Sequence, residues 1–450
     1  MIKRDGFFKT VCALAVPVAL QSMLQSSFSM VDQIMIGQLG SVSVAGVGLA
    51  GKFASIYSVV IAAVGTVAGI MIAQYLGQKN RQALRRGFYT NLWIGLGIAV
   101  GFTALCILLP GQIMGLYTTD PATRQAAAAY LTILSGSFLP MAGAVLLSTL
   151  FRCTDRPRLP LYASIAAALI NTGLNYILIF GKLGFPPMGA RGAAIATVVS
   201  QWVNVLLMVG MLGRKSILTA EPDSPRRAVG TNWRQYLAML LPILICEVAW
   251  SLGENVYAAI YGHMGTDASA AMTLTNPIQG LLIGALCGLS QAAGVIIGRK
   301  LGSGAYEQAY ADAKRLLLYG AVGAGILSAA VILTSGLYVE IYSVEETVKV
   351  FTRQILAVYG LIAPFKVMNM ILGGGILRSG GRTQYVMFID MIGTWCFGVP
   401  LGLLGAFVLK LSIPAVYFLL SLEECVRFGI SLAVFRKRSW MQRLEPAVQT

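Results

Sequence analysis

Charge is scarce in this chain. Only 12% of its 450 residues are Asp, Glu, Lys or Arg, and it has one histidine, His263. No zinc spacing is present, and no Ser-His-Asp catalytic set is evident. No P-loop or Walker sequence is present, so ATP-driven work by this chain alone is excluded. Strand-period alternation is also missing, which excludes a β-barrel. The seven cysteines (Cys12, Cys106, Cys153, Cys246, Cys287, Cys396 and Cys425) form no Cys-x-x-Cys pair and lie mostly inside apolar stretches. They read as reduced packing residues.

What fills the space is apolar. The hydrophobic share is 56% and the mean hydropathy is +0.72. A soluble fold cannot hide that much apolar surface, whereas a bilayer can. Twelve apolar segments are long enough to span: 10–33, 46–76, 87–109, 122–150, 158–181, 191–213, 235–262, 268–299, 316–338, 350–377, 384–409 and 412–435. The expected fold is therefore an all-α integral membrane protein. The +16 charge has a topological explanation. Most Lys and Arg fall in the N-terminus, in loops after even-numbered spans and in the tail. Only Arg124, Lys182, Arg191, Lys349 and Lys410 fall on the opposite side, and Lys52, Arg353, Lys366 and Arg427 lie within spans. The positive-inside rule then puts both termini in the cytoplasm, and nucleic acid is not needed to explain the basic balance. Lys3-Arg4 precede an apolar run as in a signal peptide, but the run continues through Met30 and becomes the first span.

The two halves spell one pattern twice. Pro17-Val18-Ala19 leads to Ile36-Gly37-Gln38-Leu39-Gly40, and Pro242-Ile243-Leu244 leads to Tyr261-Gly262-His263-Met264-Gly265. Ala45 recurs as Ala270, Gly69 as Gly294, Leu76-Gly77 as Leu301-Gly302, and Arg152 as Arg378. Residues 1–213 and 235–450 form two six-helix lobes, and the polar, proline-bearing 214–234 is the cytoplasmic linker. Six spans per repeat make the repeats parallel, an arrangement used by secondary transporters with the substrate path at the repeat interface.

Ionisable residues within spans are functional candidates, because each costs roughly 2.5–3.5 kcal/mol to insert. Asp32 ends a polar stripe of Ser22, Gln25, Ser26 and Ser29, which must face an interior rather than lipid. Asn171 and Asn175 share a face of the fifth span, and Thr197 and Ser200 give the sixth a small polar face. If these spans converge, Asp32, Asn171, Asn175 and Thr197 form an oxygen-lined pocket suited to a proton or a monovalent cation such as Na+. The alternative is interhelical hydrogen bonding by the asparagines. In the seventh span Glu247 and Glu254 fall near one face, with Trp250, Tyr257 and Tyr261 around them. Carboxylates among aromatic rings suit a bulky organic cation. Asp390, Trp395 and Lys366 belong to the same lobe. Lys366 either lines that site or neutralises Glu247 or Asp390. Glu423, Glu424 and Arg427 read as a locally ion-paired cluster. The eighteen methionines are ordinary filler or an adaptable binding surface.

Several stretches together resemble the multidrug and toxic compound extrusion (MATE) transporters. They are Asn175-Tyr176-Ile177-Leu178-Ile179-Phe180-Gly181, Met188-Gly189-Ala190-Arg191-Gly192-Ala193-Ala194-Ile195-Ala196-Thr197, Val31-Asp32-Gln33-Ile34-Met35-Ile36-Gly37, Leu377-Arg378-Ser379-Gly380-Gly381-Arg382-Thr383 and Gly398-Val399-Pro400-Leu401-Gly402. The resemblance runs from Pro17 to the basic tail. It implies twelve transmembrane helices in two six-helix bundles set in a V, exporting organic cations in exchange for H+ or Na+. Asp32 matches the family's first-helix aspartate, a coupling-ion residue. Asn171 and Thr197 match N-lobe ion-site positions, and Glu247 matches a seventh-helix glutamate of branches with a C-lobe site. Asn175 departs from relatives that carry an aspartate there, which removes a charge from the N-lobe pocket and favours a role for Glu247. No organic cofactor is implied, and the partners are cationic small molecules and the bilayer. A monomer in the bacterial inner membrane is expected. The rival readings are a lipid-linked glycan flippase or narrow-substrate metabolite exporter of the same superfamily, a major-facilitator transporter, and a membrane-embedded enzyme.

Overall fold

The structure is a computed structural model that describes residues 4–212, 229–230, 232–342, 344–445 and 447–448. Most of the expected linker, 213–228 and 231, lies outside the described residues. The long helices are α1 (Arg4–Gly37), α2 (Ser41–Gly77), α3 (Arg81–Leu108), α4 (Pro121–Cys153), α5 (Arg158–Phe180) and α6 (Ala190–Met211) in the first half. The second half has α7 (Trp233–His263), α8 (Thr266–Gly302), α9 (Tyr306–Glu340), α10 (Glu346–Leu377), α11 (Thr383–Val408) and α12 (Ile413–Lys437). Eleven of them are long and apolar enough to cross a membrane. The twelfth, α12, has the length but carries Glu423, Glu424 and Arg427 at its middle. All three are buried, at 7%, 6% and 9% exposure, so the charges are hidden from lipid.

Several helices outrun their apolar segments. α9 begins at Tyr306, ten residues before the apolar run, because its first turns are held by charge. There Asp312 accepts from Lys300 of α8 and lies 3.4 Å from Arg315. Starts are set by side-chain caps. Asn80 accepts from Ala83 N at 3.0 Å, Asp120 from Thr123 N at 2.9 Å, and Asn232 from Gln235 N at 3.1 Å. Each satisfies an amide that a helix N-terminus leaves orphaned. The Thr123 hydrogen bonds also hold the Asp120 carboxyl below the usual carboxylate range. At the other end Gly181 takes φ +67° to terminate α5, a conformation glycine adopts without strain.

By contacts the chain forms two compact units. One contains 20–72, 80–231 and 446–450; the other contains 1–19, 73–79 and 232–445. In the first unit, α1 is tied to α5 by Gln21 Nε2 donating to Ser164 Oγ at 2.8 Å. Tyr57 of α2 stacks on Phe138 of α4, with centroids 4.3 Å apart, and its hydroxyl donates to the Phe138 carbonyl at 2.6 Å.

In the second unit, α10 and α11 depart from α-helical winding. Residues Met370–Leu377, Ile392–Gly398 and Leu404–Val408 wind with i→i+5 bonds. Such turns release carbonyls and shift the helix phase. Ser290 of α8 donates to the Met370 carbonyl at 2.7 Å. A Cβ on Gly375 would stand 2.5 Å from the Ser290 carbonyl oxygen, so this glycine permits the close α8–α10 approach.

The repeated Leu-Gly pairs meet in this unit. A Cβ on Gly77 would strike the Arg299 backbone, and one on Gly302 would strike the Gln74 backbone. Gly77 and Gly302 are repeat equivalents, and so are Gln74 and Arg299. The C-terminal ends of α2 and α8 therefore cross about a local pseudo-twofold axis. The basic tail, read from sequence only as a cytoplasmic extension, is packed onto this crossing. Gln74, fully buried, donates to the carbonyls of Ser379 (2.7 Å) and Gln442 (3.1 Å) and accepts from Leu444 N at 2.7 Å. Gln78 donates to the Leu444 carbonyl at 2.7 Å. Trp440, also fully buried, stacks on Phe435, and Phe435 stacks on Tyr310. All seven cysteines are free thiols.

Candidate functional site

Each contact unit contains a polar cavity. The first has a volume of about 730 Å³ and is lined by Asp32, Ser29 and Gln33 of α1, Lys52 and Ser55 of α2, Tyr130 of α4, Asn175 of α5 and Thr197 of α6. Asp32 is the focus. Asn175 Nδ2 donates to its Oδ1 at 2.7 Å. The Asn171 amide, turned so that its nitrogen faces the carboxylate, lies 3.0 Å from both Asp32 oxygens; the hydrogen-bond network fixes that orientation. One helical turn separates the two asparagines, so both amides reach one carboxylate. Thr197 spends its hydroxyl proton on the Ala193 carbonyl at 3.0 Å, leaving its lone pairs on the cavity side. Asn175 Oδ1 is buried without a donor. Thus Asp32, Asn175 and Thr197 line one cavity and Asn171 backs it. Among the described residues the acid is held by neutral amides and by no cation.

The second cavity, about 310 Å³, lies among α7, α8, α10 and α12. Its ionisable lining is Glu254, Lys366, Glu423 and Glu424, with the hydroxyls of Tyr257, Tyr261, Tyr359 and Tyr417 and the amides of Asn276 and Gln279. Tyr257 donates to Glu423 Oε2 at 2.5 Å. Asn369 donates to Glu424 Oε2 at 2.8 Å. Behind this wall Arg427 Nη1 lies 3.4 Å from Glu424 and 3.8 Å from Glu423, and its guanidinium also donates to Asp390. Asp390 in turn accepts from Cys246 Sγ at 2.9 Å.

Four residues expected in the C-lobe site, Glu254, Tyr257, Tyr261 and Lys366, share this cavity. The other four are elsewhere. Glu247 faces Arg378 at 3.4 Å, and Asp390 faces Arg427, so Lys366 neutralises neither of them. The Trp395 indole donates to the Ala249 carbonyl at 3.2 Å, and Trp250 is 46% exposed. Neither ring lines the cavity. Glu247 and Glu254 are seven residues apart, nearly two turns, which puts them at different depths on one face. Three cavity residues escaped sequence reasoning. Glu423 and Glu424 do form the local pairs with Arg427, but they also present oxygens to the cavity. Lys52 is visible in the sequence as a base within a span, yet nothing there ties it to Asp32.

A bundle of membrane-length helices with an intramembrane polar cavity in each contact unit is the architecture of a membrane transporter. The chain belongs to the MatE family, whose profile matches it twice, at residues 17–177 and 242–404. It is 25% identical over 448 residues to "Probable multidrug resistance protein NorM" of Thermotoga maritima, covering 97% of this chain and 93% of that protein. It is 20% identical over 431 residues to "Uncharacterized transporter YisQ" of Bacillus subtilis, covering 96% and 94%. In fold it is similar to the crystal structure of MATE in complex with MaL6, with a TM-score of 0.86 at 18% identity and 96% coverage of both chains. The protein is a multi-pass membrane transporter of this family.

Proposed function

We propose that the protein is a secondary active multidrug exporter of the inner membrane, with both termini cytoplasmic. It works as a monomer and exchanges organic cations for H+ or Na+ by alternating access. The observation that carries this reading is the Asp32 carboxylate, which faces a large cavity and is bonded among the described residues by two amides and no cation. Amides orient the acid without cancelling its charge, so a mobile cation completes the site. Asn175 Oδ1 and Thr197 Oγ1 offer further oxygens to an ion there.

Exchange follows from competition for one negative charge. Opposite unit charges 4 Å apart attract by roughly 4 kcal/mol at an effective dielectric of about 20. A proton or Na+ on Asp32 removes that hold on a substrate ammonium, and the substrate leaves. Departure of the ion on the other side restores the charge. The C-lobe cavity, with Glu254, Glu423 and Glu424, offers a second cation-attracting surface lined by tyrosines. Glu247 is held by Arg378, so Asp32 carries the coupling role in this proposal.

The test uses purified protein in liposomes, with pH and Na+ gradients imposed separately and a fluorescent organic cation as cargo. Wild type should respond to one gradient, and Asp32→Asn should lose that response while inserting normally. Coupled efflux by the variant at the wild-type rate would sink the assignment.

A further inference from the structure

Lys52 is an unexplained charge among the described residues. It sits eleven positions inside α2, about 16 Å along the helix from Ser41 at 1.5 Å per residue, too deep to be a helix-end residue. Its side chain is exposed and lines the same cavity as Asp32. Its ammonium forms no ion pair or hydrogen bond among the described residues. Nor does it reach Asp32, whose carboxylate bonds to the two asparagine amides instead. The contrast with Lys366 is informative. Lys366 shares its smaller cavity with three glutamates, so balancing their charge is reason enough for it. Lys52 shares its cavity with a single acid, Asp32, and does not touch it. An uncompensated ammonium at this depth is costly, and it repels a ligand that carries only positive charge. The other polar lining residues, Ser29, Gln33, Ser55, Tyr130, Asn175 and Thr197, are neutral, and Ile36, Val44 and Val47 add apolar wall.

The geometry points to an amphoteric substrate. Lys52 receives an acidic group of the ligand while the Asp32 side of the cavity receives its amine. Lys52 is then the specificity residue that selects organic cations bearing a second, anionic group. This deepens the exporter reading and rests on it. The two charged groups face one space without touching each other, so a ligand can bridge them, and a cavity of about 730 Å³ lies within the size range of drug-sized sites. Bridging also links recognition to coupling. When Asp32 is neutralised, the ligand keeps only its acidic contact, and affinity falls.

The test is a matched probe set binding to purified protein: Nε-dansyl-lysine (zwitterion), its methyl ester (cation) and its Nα-acetyl derivative (anion). Dansyl fluorescence is the readout. Wild type should bind the zwitterion tightest of the three. Lys52→Gln should weaken the zwitterion and the anion by roughly tenfold and leave the methyl ester unchanged or tighter. Lys52→Arg should restore zwitterion binding, which separates charge recognition from a folding defect. Equal weakening of all three probes in Lys52→Gln, or an unchanged zwitterion affinity, overturns the inference. So does wild-type protein that binds none of them, and in that case the Asp32→Asn transport measurement still decides the exporter reading by itself.

Discussion

A carboxylate held by two amides behaves differently from one held by a guanidinium. Asp32 has neutral donors at 2.7 and 3.0 Å, so its charge remains available to a visitor. Asp390 shares its charge with Arg427 and is closed to exchange without breaking that pair. The same distinction explains why Glu247, a promising acid in sequence, faces Arg378 instead of a cavity. Between these sites, small residues decide what fits. Gly398 lies on the i→i+5 turn of α11, where a Cβ would strike the Tyr257 hydroxyl and the Glu423 carboxylate. Gly398→Ala should therefore split the 2.5 Å Tyr257–Glu423 hydrogen bond and destabilise the protein by about 1–3 kcal/mol. Thermal unfolding in detergent measures this. The cost should shrink in a Tyr257→Phe background, where the hydrogen bond is already gone. Equal costs in both backgrounds would place the strain elsewhere.

At the scale of elements, α12 shows what a hydropathy reading misses. Its three central charges lower its apolarity, yet Glu423, Glu424 and Arg427 are more than nine-tenths buried. Their pairing at three and four residues was legible in the sequence, because a helix puts those positions on one face. The link from Arg427 to Asp390, 37 residues away on α11, was not. It depends on how α11 is wound, and i→i+5 turns shift the face that a 3.6-residue period assigns. The same limit applied to Trp395, which lies within the wound segment and donates its indole proton to α7 instead of lining the cavity. Asp32, Asn171 and Asn175 were legible because regular helices present them at spacings of one turn. Arg427 balances three acids at once. Arg427→Met should cost about 3–5 kcal/mol, because the buried Glu423 and Glu424 and the part-buried Asp390 are left without their cation. The double variant Arg427→Met, Asp390→Asn should recover part of the loss in the same unfolding measurement. No recovery would mean that Asp390 is not the acid that depends on Arg427.

At the scale of the whole molecule, the duplication is both a sequence pattern and a packing device. The repeated Leu-Gly pairs supply the two glycines that let the C-terminal ends of α2 and α8 cross backbone to backbone, and each rests against the partner of the other. Symmetry ends there, because Gln74 and its equivalent Arg299 are different residues. Gln74 uses its amide to hold Ser379, Gln442 and Leu444. The chain's last described turns are thereby fastened to a helix of the first repeat. This was invisible in the sequence, where 436–443 reads only as a run of positive charge. Its fastening residues are the uncharged Trp440, Gln442 and Leu444, and the partners of Gln442 and Leu444 lie more than 360 residues back. Gln74→Ala removes three hydrogen bonds of a fully buried side chain and leaves two carbonyls and one amide to find other partners, each worth about 1–3 kcal/mol if none is found. Amide hydrogen exchange should therefore rise over 440–444 in Gln74→Ala. A smaller rise is expected in Gln78→Ala, which loses one bond. Exchange over α3 and α5, which make none of these contacts, should stay at the wild-type rate. Unchanged exchange over 440–444 would show that the Trp440–Phe435–Tyr310 stack alone holds the tail. In that event Trp440→Ala, not Gln74→Ala, would be the variant that frees it.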